Sequence, residues 1–305
     1  MTDMRVSIAG VELKNPVIAA SGTFAFGEEY KLYMDPAAIG GIALKALTKE
    51  KRLGNPPLRI AETASGVLNA VGLQNPGVDG FLEDIWPRIK DMDTVKIANI
   101  AGAAAEDYVY VAKRLNDTGI DLFEVNVSCP NVKEGGVNFG TDAGILESVV
   151  SSVKKVAEKP VIVKLTPNVT SIADMARAAK NGGADALSLI NTITGMAIDA
   201  KTKRPVLANV TGGLSGPAIR PVALRMVHEV YRANLGLPII GMGGIMTGEQ
   251  AAEFMIAGAD AVMAGTATMI DPAATENIAK ELQAFVQSQG IAAAKELTGT
   301  LLLEG

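Results

Sequence analysis

Eight short apolar runs alternate with longer amphipathic segments along this chain, and this alternation constrains the fold more than any other feature. Short apolar runs bounded by turn residues indicate strands that are buried on both faces. The predicted strands are Pro16–Ala20, Gly41–Ala46, Val95–Ile100, Leu122–Val127, Val161–Leu165, Ala186–Ile190, Pro238–Gly241 and Ala261–Gly265. The helical segments between them include Glu106–Asp117, Asp142–Lys159, Ser171–Lys180, Pro217–Asn234 and Gly248–Ala257. Such alternation predicts parallel strands joined by crossover helices, and eight units favour a closed α/β fold, the (β/α)8 TIM barrel.

The whole chain, residues 1–305, is predicted to form a single barrel domain, since such barrels have roughly 250 residues plus insertions. An N-terminal hairpin, Arg5–Ala9 and Val11–Lys14, precedes the first predicted strand and is expected to close the bottom of the barrel. Three connections that follow strands are too long for simple turns: Lys49–Asp79, Pro130–Thr141 and Thr192–Gly216. We therefore expect long loops at the carboxyl-terminal face, where barrel enzymes have their active sites.

Charge and composition exclude several classes of protein. A net charge of -5 argues against nucleic acid as a main partner, and no run of about 18 apolar residues is present to span a membrane. A single cysteine excludes internal disulfides and fits the reducing cytoplasm, where we expect this protein. It also excludes an iron–sulfur cluster held by this chain, because such clusters need about four cysteine ligands. No metal site is predicted, and the absence of a G-x-G-x-x-G or Walker A sequence excludes an ordinary NAD or ATP site.

The residues that close the predicted strands are mostly polar. In chain order they are Ser21, Lys45, Asn99, Asn126, Lys164, Asn191, Gly243 and Gly265. In a closed parallel barrel these positions converge on one mouth. Lys45 and Lys164 interrupt apolar runs, and because an unpaired buried ammonium is costly, each needs an anionic partner. That partner is either a ligand at the mouth or a strand carboxylate, for which Glu124 is the available residue.

Glycine-rich sequences, IIGMGGI and VMAGTA, form the ends of the last two strands. Glycine lets backbone N–H groups approach a phosphate, and the helix predicted to begin near Thr247 directs its positive end to the same place. The sixth loop adds Gly195, Gly212, Gly213 and Gly216. A phosphate-bearing cofactor beside lysines indicates flavin mononucleotide (FMN), because a lysine near the pyrimidine edge of a flavin stabilises the negative charge that develops when the flavin accepts a hydride.

The only cysteine, Cys129, lies in the sequence Asn-Val-Ser-Cys-Pro-Asn, where the fourth predicted strand ends. Its position at the mouth, before a glycine-containing loop, favours a chemical role over that of an inert buried residue. The only histidine, His228, lies in a helical segment away from the strand ends, which excludes Ser–His and Cys–His catalysis. The bases available at the mouth are therefore Cys129, a lysine or a carboxylate.

The sequence resembles the dihydroorotate dehydrogenase family over essentially its whole length. The matching motifs, each at a strand end or in a long loop, are KNPVIAASGTF, ALKALT, NAVGLQNPG, NVSCPNVKEGG, VIVKLTPNV, INTITG, TGGLSGPAIRP, PIIGMGGI and the closing AGT. The Cys in NVSCPN is typical of class 1 members, and NVKEGGVNFG resembles the NAD-linked type B more than the fumarate-using type A.

Position by position, the resemblance implies two sets of binding residues. FMN contacts are implied for Ser21, Lys45, Ala46, Asn99, Asn126, Lys164, Ile190, Gly216, Met242, Gly243, Ala264 and Gly265. Substrate contacts are implied for Lys45, Asn69, Ala70, Val71, Gly72, Leu73, Asn126, Asn191 and Thr192. The resemblance further implies that Cys129, as a thiolate, removes a proton from carbon 5 of dihydroorotate while carbon 6 delivers a hydride to the flavin.

The resemblance also implies a pathway and a partner. Oxidation of (S)-dihydroorotate to orotate belongs to de novo UMP synthesis. Type B members pair with a subunit that carries FAD and a [2Fe-2S] cluster and passes electrons to NAD, in a heterotetramer of two plus two chains around a catalytic homodimer. The alternatives are a fumarate-dependent type A enzyme, a dihydropyrimidine dehydrogenase-like flavoenzyme, a Schiff-base aldolase acting through Lys164, and a non-catalytic phosphate-binding barrel.

Overall fold

A computed structural model describes residues 2–128 and 139–303 of the chain. The strands, numbered in chain order, are β1 (Val6–Ile8), β2 (Val11–Leu13), β3 (Val17–Ala19), β4 (Gly41–Ala43), β5 (Ile60–Thr63), β6 (Gly66–Asn69), β7 (Val95–Ile100), β8 (Leu122–Asn126), β9 (Val161–Lys164), β10 (Ala186–Leu189), β11 (Ile193–Met196), β12 (Ile198–Asp199), β13 (Arg204–Pro205), β14 (Thr211–Ser215), β15 (Ile239–Met242) and β16 (Ala261–Ala264). The α-helices are α1 (Gly77–Gly80), α2 (Trp86–Ile89), α3 (Ala105–Leu115), α4 (Ala143–Lys154), α5 (Ile172–Asn181), α6 (Arg220–Arg232), α7 (Gly248–Ala257), α8 (Ala267–Ile270) and α9 (Ala274–Ser288). A π-helical turn, Phe81–Ile85, joins α1 to α2.

Eight parallel strands form a closed barrel in the order β3-β4-β7-β8-β9-β10-β15-β16, and β16 pairs with β3 to complete the ring. Each of these strands overlaps one of the eight predicted runs, so the predicted (β/α)8 fold is confirmed. The largest difference is in β4, which ends at Ala43 rather than Ala46. Beyond Ala43 the Leu44 N–H still donates to the Ile97 carbonyl of β7, but the Lys45 N–H donates to the Ala25 carbonyl and not to β3, both at 2.8 Å.

The barrel strands are apolar on both faces because both faces are covered. In β9, Ile162 points into the barrel and packs in one cluster with Ile97 and Ile240. Its neighbours Val161 and Val163 belong to the larger cluster beneath the surrounding helices. Strands buried on both sides require nearly continuous Val, Ile, Leu and Ala, which is the pattern that the sequence shows.

The predicted N-terminal hairpin is present and closes the amino-terminal end of the barrel. β1 and β2 pair antiparallel with Val6 opposite Leu13. The two residues between the strands, Ala9 and Gly10, both have positive φ (51° and 84°), as a type I′ turn requires. Val6, Ile8 and Leu13 pack in the same cluster as the inward-facing residues of the barrel strands. The hairpin therefore seals the end of the barrel opposite the mouth.

A second sheet stands at the carboxyl-terminal end of the barrel, in segments that the sequence analysis treated as long loops. It is antiparallel, in the order β11-β14-β6-β5, and joins the connections 49–79 and 192–216. A small separate core of Leu68, Ala70 and Leu207 lies within these segments. The predicted long connections are thus confirmed, but the strands within them were not predicted. These strands are short, and the pairing of β6 with β14 joins residues far apart in the sequence.

The five predicted helical segments correspond to α3, α4, α5, α6 and α7, whereas the helical residues 77–89 and α9 were not predicted. Residues 77–89 contain two glycines and Pro87, which are poor helix formers and hide the helix from sequence analysis. The α9 helix is amphipathic, with Ile278, Leu282 and Val286 buried, and it completes the outer layer after the eighth strand. Among the described residues, no helix is both long enough and apolar enough to cross a membrane.

Shortening the Ile8 side chain tests whether the hairpin stabilises the barrel. Ile8 is fully buried, and an Ile→Ala change at such a position costs about 2–5 kcal/mol through lost transfer free energy and the cavity left behind. We expect Ile8→Ala to lower the free energy of unfolding by that amount in a urea titration followed by circular dichroism. Ser7→Ala, on the exposed face of the same strand, is the control and should change it by less than about 0.5 kcal/mol. Equal stability of the two variants would contradict the sealing role.

Candidate active site

Polar side chains at the ends of adjacent strands point into the barrel mouth. Cross-strand partners in a parallel ladder face the same side, and the register pairs Asn99 with Glu124, Asn126 with Lys164, and Lys164 with Ser188. Residues two apart on one strand also share a face, so Glu124 and Asn126 point the same way. These five side chains therefore face the barrel interior, with Glu124 at the ladder position of Ile162 and Asn126 and Lys164 beyond it toward the mouth.

Lys164 crosses the mouth from β9 toward the opposite side of the ring. Its Nζ donates to Ser21 Oγ, just beyond β3, at 3.2 Å. The same Nζ lies 3.8 Å from Glu124 Oε2. Lys164 is 5% exposed and Glu124 is fully buried. The strand carboxylate considered as a partner for this lysine is thus present, although the ammonium is shared between it and Ser21.

Asn99 offers a buried hydrogen-bond acceptor to the mouth. Its Nδ2 donates to Glu124 Oε2, while Ser188 Oγ donates to Glu124 Oε1 at 2.7 Å. Within residues 2–128 and 139–303, Asn99 Oδ1 and Ser128 Oγ are the two buried side-chain oxygens that have no hydrogen-bond partner. A buried acceptor without a partner is costly, so Asn99 Oδ1 fits a ligand that presents an N–H group.

The neighbouring amides form a second polar group. Asn191 Nδ2 lies 3.4 Å from Asn126 Oδ1, and Asn191 Oδ1 accepts from the Thr192 N–H at 2.8 Å. The second sheet brings Asn69 to the same place, because its Nδ2 donates to the Gly213 carbonyl at 3.4 Å. Gly213 packs so closely on Thr192 that a Cβ there would lie 2.0 Å from Thr192 Oγ1. Residues far apart in the chain thus converge beside Lys164.

Lys45 lies in the loop after β4 and is half-buried. Burial is the main cause, and the nearby Arg59 guanidinium a second cause, of a pKa of the Lys45 ammonium below its ordinary value of 10.5. No carboxylate of the described residues forms an ion pair with either cation. Two neighbouring cations of this kind fit an anionic ligand group.

The stretch Asn69–Leu73 is held in place by polar groups of its own loop. The Ala70 N–H donates to the Arg59 carbonyl at 2.8 Å, and Asn55 Nδ2 donates to the Ala70 carbonyl at 2.9 Å. Gly72 has φ 77°, and a Cβ there would meet Asn55 Cγ at 2.7 Å. Asn75 then ties the end of the stretch to the barrel, as its Nδ2 donates to the Leu73 carbonyl and to Thr48 Oγ1 at 2.7 and 2.8 Å.

Glycines allow close contact between the sixth, seventh and eighth loops. Gly216 and Gly244 have φ of 98° and 75°, and a Cβ on Gly244 would lie 2.5 Å from the Gly216 carbonyl. Ile190 donates its N–H to the Met242 carbonyl at 2.9 Å. Ala264, at the end of β16, is buried, and Gly243 and Gly265 directly follow β15 and β16. Ala46, another proposed cofactor contact, is also buried and lies in the loop after β4.

The amino end of α7 is less available to a phosphate than its sequence suggests. The Gly248 N–H donates to Glu281 Oε2 at 2.7 Å, and the Gln250 N–H donates to Thr247 Oγ1 at 3.3 Å. These bonds within the chain already satisfy N–H groups of the first turn. The segments after β15 and β16, at Gly243 and Gly265, are then the better candidates for a phosphate site.

The only cysteine and the only histidine of the chain differ in what the structure describes of them. Cys129 lies outside the described residues, so its assignment as the base stays a prediction. His228 is placed as expected, in α6 and away from the mouth, where its Nδ1 lies 3.3 Å from the Ala257 carbonyl. In the described part of the chain, no group of three or more His, Cys, Asp or Glu residues is arranged to hold a metal ion.

Three residues that shape the mouth were not predicted from the sequence, and a fourth has more partners than predicted. Arg59, Asn75 and Ser188 act through contacts that only the folded chain creates, although Asn75 lies within the motif NAVGLQNPG. Glu124 was considered only as a salt-bridge partner, whereas it also bonds Asn99 and Ser188. A carboxylate inside an apolar strand is the signal that identifies it, since a buried charge needs several partners.

A closed parallel barrel whose mouth gathers lysines and amides belongs to the class of (β/α)8-barrel enzymes. The family profile described as Dihydroorotate dehydrogenase matches residues 3–286 of the chain. The chain belongs to the dihydroorotate dehydrogenase family.

Two curated relatives share the name "Dihydroorotate dehydrogenase B (NAD(+)), catalytic subunit". The one from Alkaliphilus metalliredigens (strain QYMF) is 56% identical over 299 residues, covering 98% of this chain and 99% of that protein. The one from Geobacter sp. (strain M21) is 53% identical over 302 residues and 99% of both chains. Among solved structures, DHODH from Eimeria tenella in complex with ferulenol aligns with a TM-score of 0.80 and 24% identity, covering 98% of this chain and 88% of that one. At that identity the likeness supports the fold alone.

Removal of Asn75 tests the support of the stretch 69–73. Asn75 is 5% exposed, and its Oδ1 accepts from the Gly77 N–H at 2.8 Å. We expect Asn75→Ala to lower the free energy of unfolding by about 1–3 kcal/mol, since buried polar groups lose their partner. Asn209→Ala is the matched control, because Asn209 is exposed and makes one 3.2 Å bond. A variant as stable as the control would show that this network does not hold the loop.

Proposed function

We propose that this chain, as a single FMN-binding barrel domain, oxidises (S)-dihydroorotate to orotate in de novo pyrimidine synthesis. The observation that carries the proposal is the buried Lys164 ammonium beside the unpartnered Asn99 oxygen at the carboxyl-terminal end of the barrel. Relatives that bear the name dihydroorotate dehydrogenase B (NAD(+)), catalytic subunit, at more than half identity over nearly the whole chain support the substrate.

The residues at the mouth suit FMN. A flavin ring presents both hydrogen-bond donors and acceptors, which the Asn99 oxygen and the Lys164 ammonium complement. We assign FMN contacts to Ser21, Lys45, Ala46, Asn99, Asn126, Lys164, Ile190, Gly216, Met242, Gly243, Ala264 and Gly265. When bound, FMN supplies the acceptor for the hydride that leaves the substrate. Lys164 contributes a positive charge where negative charge develops.

The substrate side of the mouth suits a carboxylated ring with amide groups. Lys45, with Arg59 nearby, offers positive charge to the carboxylate of dihydroorotate. The side chains of Asn69, Asn126 and Asn191 are amides, and an amide can form more hydrogen bonds than the ones that these residues make within the chain. Amides suit a ring that carries both donors and acceptors. We assign Ala70, Val71, Gly72, Leu73 and Thr192 to the same site. A dihydropyrimidine without a carboxylate would leave the cations unpaired, which favours dihydroorotate over that alternative.

We assign the proton transfer to Cys129, as the base that takes the proton from carbon 5 of the substrate. The described residues narrow the choice of base, since the only histidine is in α6 and the buried Glu124 already has Asn99, Ser188 and Lys164 as partners. The choice of Cys129 over a lysine rests on the family resemblance. A thiolate with a pKa near the working pH is an effective general base.

Flavin reduction by substrate tests this assignment. Cys129→Ala should still bind FMN and orotate, but reduction of its flavin by dihydroorotate should be roughly 10²–10⁴ slower, the usual contribution of a positioned base. Stopped-flow absorbance of the flavin band measures the rate. The parental protein mixed with dihydrouracil is the control and should show little bleaching. If the variant is reduced at the parental rate, Cys129 is not the base; if dihydrouracil bleaches the flavin as fast as dihydroorotate, the substrate assignment fails.

We further propose that electrons leave through a partner subunit that carries FAD and a [2Fe-2S] cluster and reduces NAD. The single cysteine and the missing dinucleotide motif support this division of labour, as do relatives named as catalytic subunits. The assembly we propose has two chains of each kind around a catalytic homodimer. The single cysteine also supports a cytoplasmic location, where disulfides are rare.

The purified chain alone should not reduce NAD. With dihydroorotate and NAD present, we expect bleaching of the flavin without growth of NADH absorbance, because the sequence contains no dinucleotide-binding motif. Oxidation of dihydroorotate by an artificial dye acceptor is the positive control. NADH formation by the isolated chain would contradict the proposed partner, and turnover with fumarate would favour the type A alternative.

A further inference from the structure

A carboxylate that has no role in the proposed chemistry lies among the residues of the mouth. Glu124, on β8, is fully buried. An ionised carboxylate in such a place is costly unless it is both paired and hydrogen-bonded. Its three partners come from three other strands: Asn99 on β7, Lys164 on β9 and Ser188 on β10. The Glu124 carboxylate thus lies buried among the residues of the proposed cofactor site.

The hydrogen bonds of Glu124 fix the orientation of Asn99. An ionised carboxylate only accepts hydrogen bonds, so the Asn99 group that faces Glu124 is the Nδ2 donor. The other end of the amide, Oδ1, then faces away and has no partner in the part of the chain that the structure describes. Glu124 therefore determines that Asn99 presents an acceptor, and not a donor, to a ligand in the mouth.

Lys164 is held by Glu124 without losing its donors. The separation of 3.8 Å between Nζ and Oε2 exceeds the roughly 2.7–2.9 Å of a charge-assisted hydrogen bond. Electrostatic attraction still acts at that distance, most strongly away from water. The ammonium has three donors, and the bond to Ser21 uses one of them. Lys164 thus remains able to donate to a ligand while its charge is partly balanced.

We propose that Glu124 is a positioning residue and counter-charge that lowers the reduction potential of bound FMN, an inference that rests on the proposed function. A negative charge beside the flavin opposes the arrival of electrons, and it offsets part of the positive charge of Lys164. Removal of that charge leaves Lys164 unbalanced, so the reduced cofactor is bound more tightly relative to the oxidised one.

The reduction potential of the bound flavin tests the proposal. Glu124→Gln keeps the shape of the side chain and a carbonyl acceptor but removes the charge. We expect the preference of the protein for reduced over oxidised FMN to rise at least tenfold, which for a two-electron couple is about 30 mV. The measurement is a reductive titration against a reference dye. Glu147→Gln, the same change on the exposed surface of α4, is the matched control and should leave the potential unchanged.

A structural role alone does not predict this shift. Ser188→Ala removes one hydrogen bond from Glu124 but keeps the charge of the carboxylate. The reduction potential of FMN in this variant should therefore lie much closer to that of the parental protein. A Glu124→Gln potential equal to or below the parental value would overturn the proposal. So would a shift of the same size in Ser188→Ala, since loss of packing and bonding would then explain it.

A pair of variants keeps the proposal testable if Glu124→Gln does not fold. Lys164→Gln leaves Glu124 as an uncompensated buried charge, whereas Lys164→Gln with Glu124→Gln removes both charges, a change that proteins often tolerate. We expect the double variant to unfold at a higher temperature than Lys164→Gln alone. We also expect the reduction potential of FMN bound to the double variant to be higher than in Lys164→Gln. Equal melting temperatures would contradict the pairing. If the parental protein does not bind FMN or is not bleached by dihydroorotate, the proposed function fails instead.

Discussion

The pairing of β16 with β3 is the interaction on which the rest of the structure depends, because it turns a row of parallel strands into a ring. In an open sheet, β3 and β9 would be separated by several strands, and a lysine on one would not contact a residue after the other. Closure places Ser21 opposite Lys164, so that one ammonium spans the mouth at 3.2 Å from the hydroxyl. Because all eight strands are parallel, every long connection after a strand emerges at the same end, and closure brings the two distant segments of the second sheet together there.

The interior of the ring is divided into layers of different chemistry. The lower layers are apolar and include Ile97 and Ile162, and the hairpin seals them through Ile8 and Leu13. Two residues further along the same strands, the inward-facing side chains are Asn99 and Lys164 and are polar. Hydrophobic burial below the mouth stabilises the barrel, and this allows a layer above it in which polar groups are buried against each other and against a ligand. The same strands thus contribute apolar residues to the core of the barrel and, at their carboxyl ends, polar residues to the mouth.

The parts of this molecule that sequence can predict are those that depend on local patterns. The barrel strands follow from apolar runs, the hairpin from alternating apolar residues around Gly10, and the strand-end polar residues from their position in those runs. The second sheet does not follow from a local pattern. Asn69 of β6 pairs with Gly213 of β14, which is far away in the sequence, and both residues lie in glycine-containing segments that resemble loops. The helical residues 77–89 are hidden by glycine and proline, and the contribution of Arg59 to the charge around Lys45 appears only in the folded chain.

The distribution of charge at the mouth separates two tasks that positive groups perform there. Lys164 is balanced by Glu124 and hydrogen-bonded to Ser21, so its position is set before any ligand binds. Lys45 and Arg59 form no ion pair with an acidic residue of the described chain, and their mutual repulsion contributes to the lowered pKa of the Lys45 ammonium. Cations in this state gain most from an added anion, because the anion relieves the repulsion as well as forming its own bonds. Under the proposed function, a carboxylated ligand would therefore bind on the side of Lys45, while Lys164, already balanced by Glu124, would stabilise negative charge that arises during the reaction and not before it.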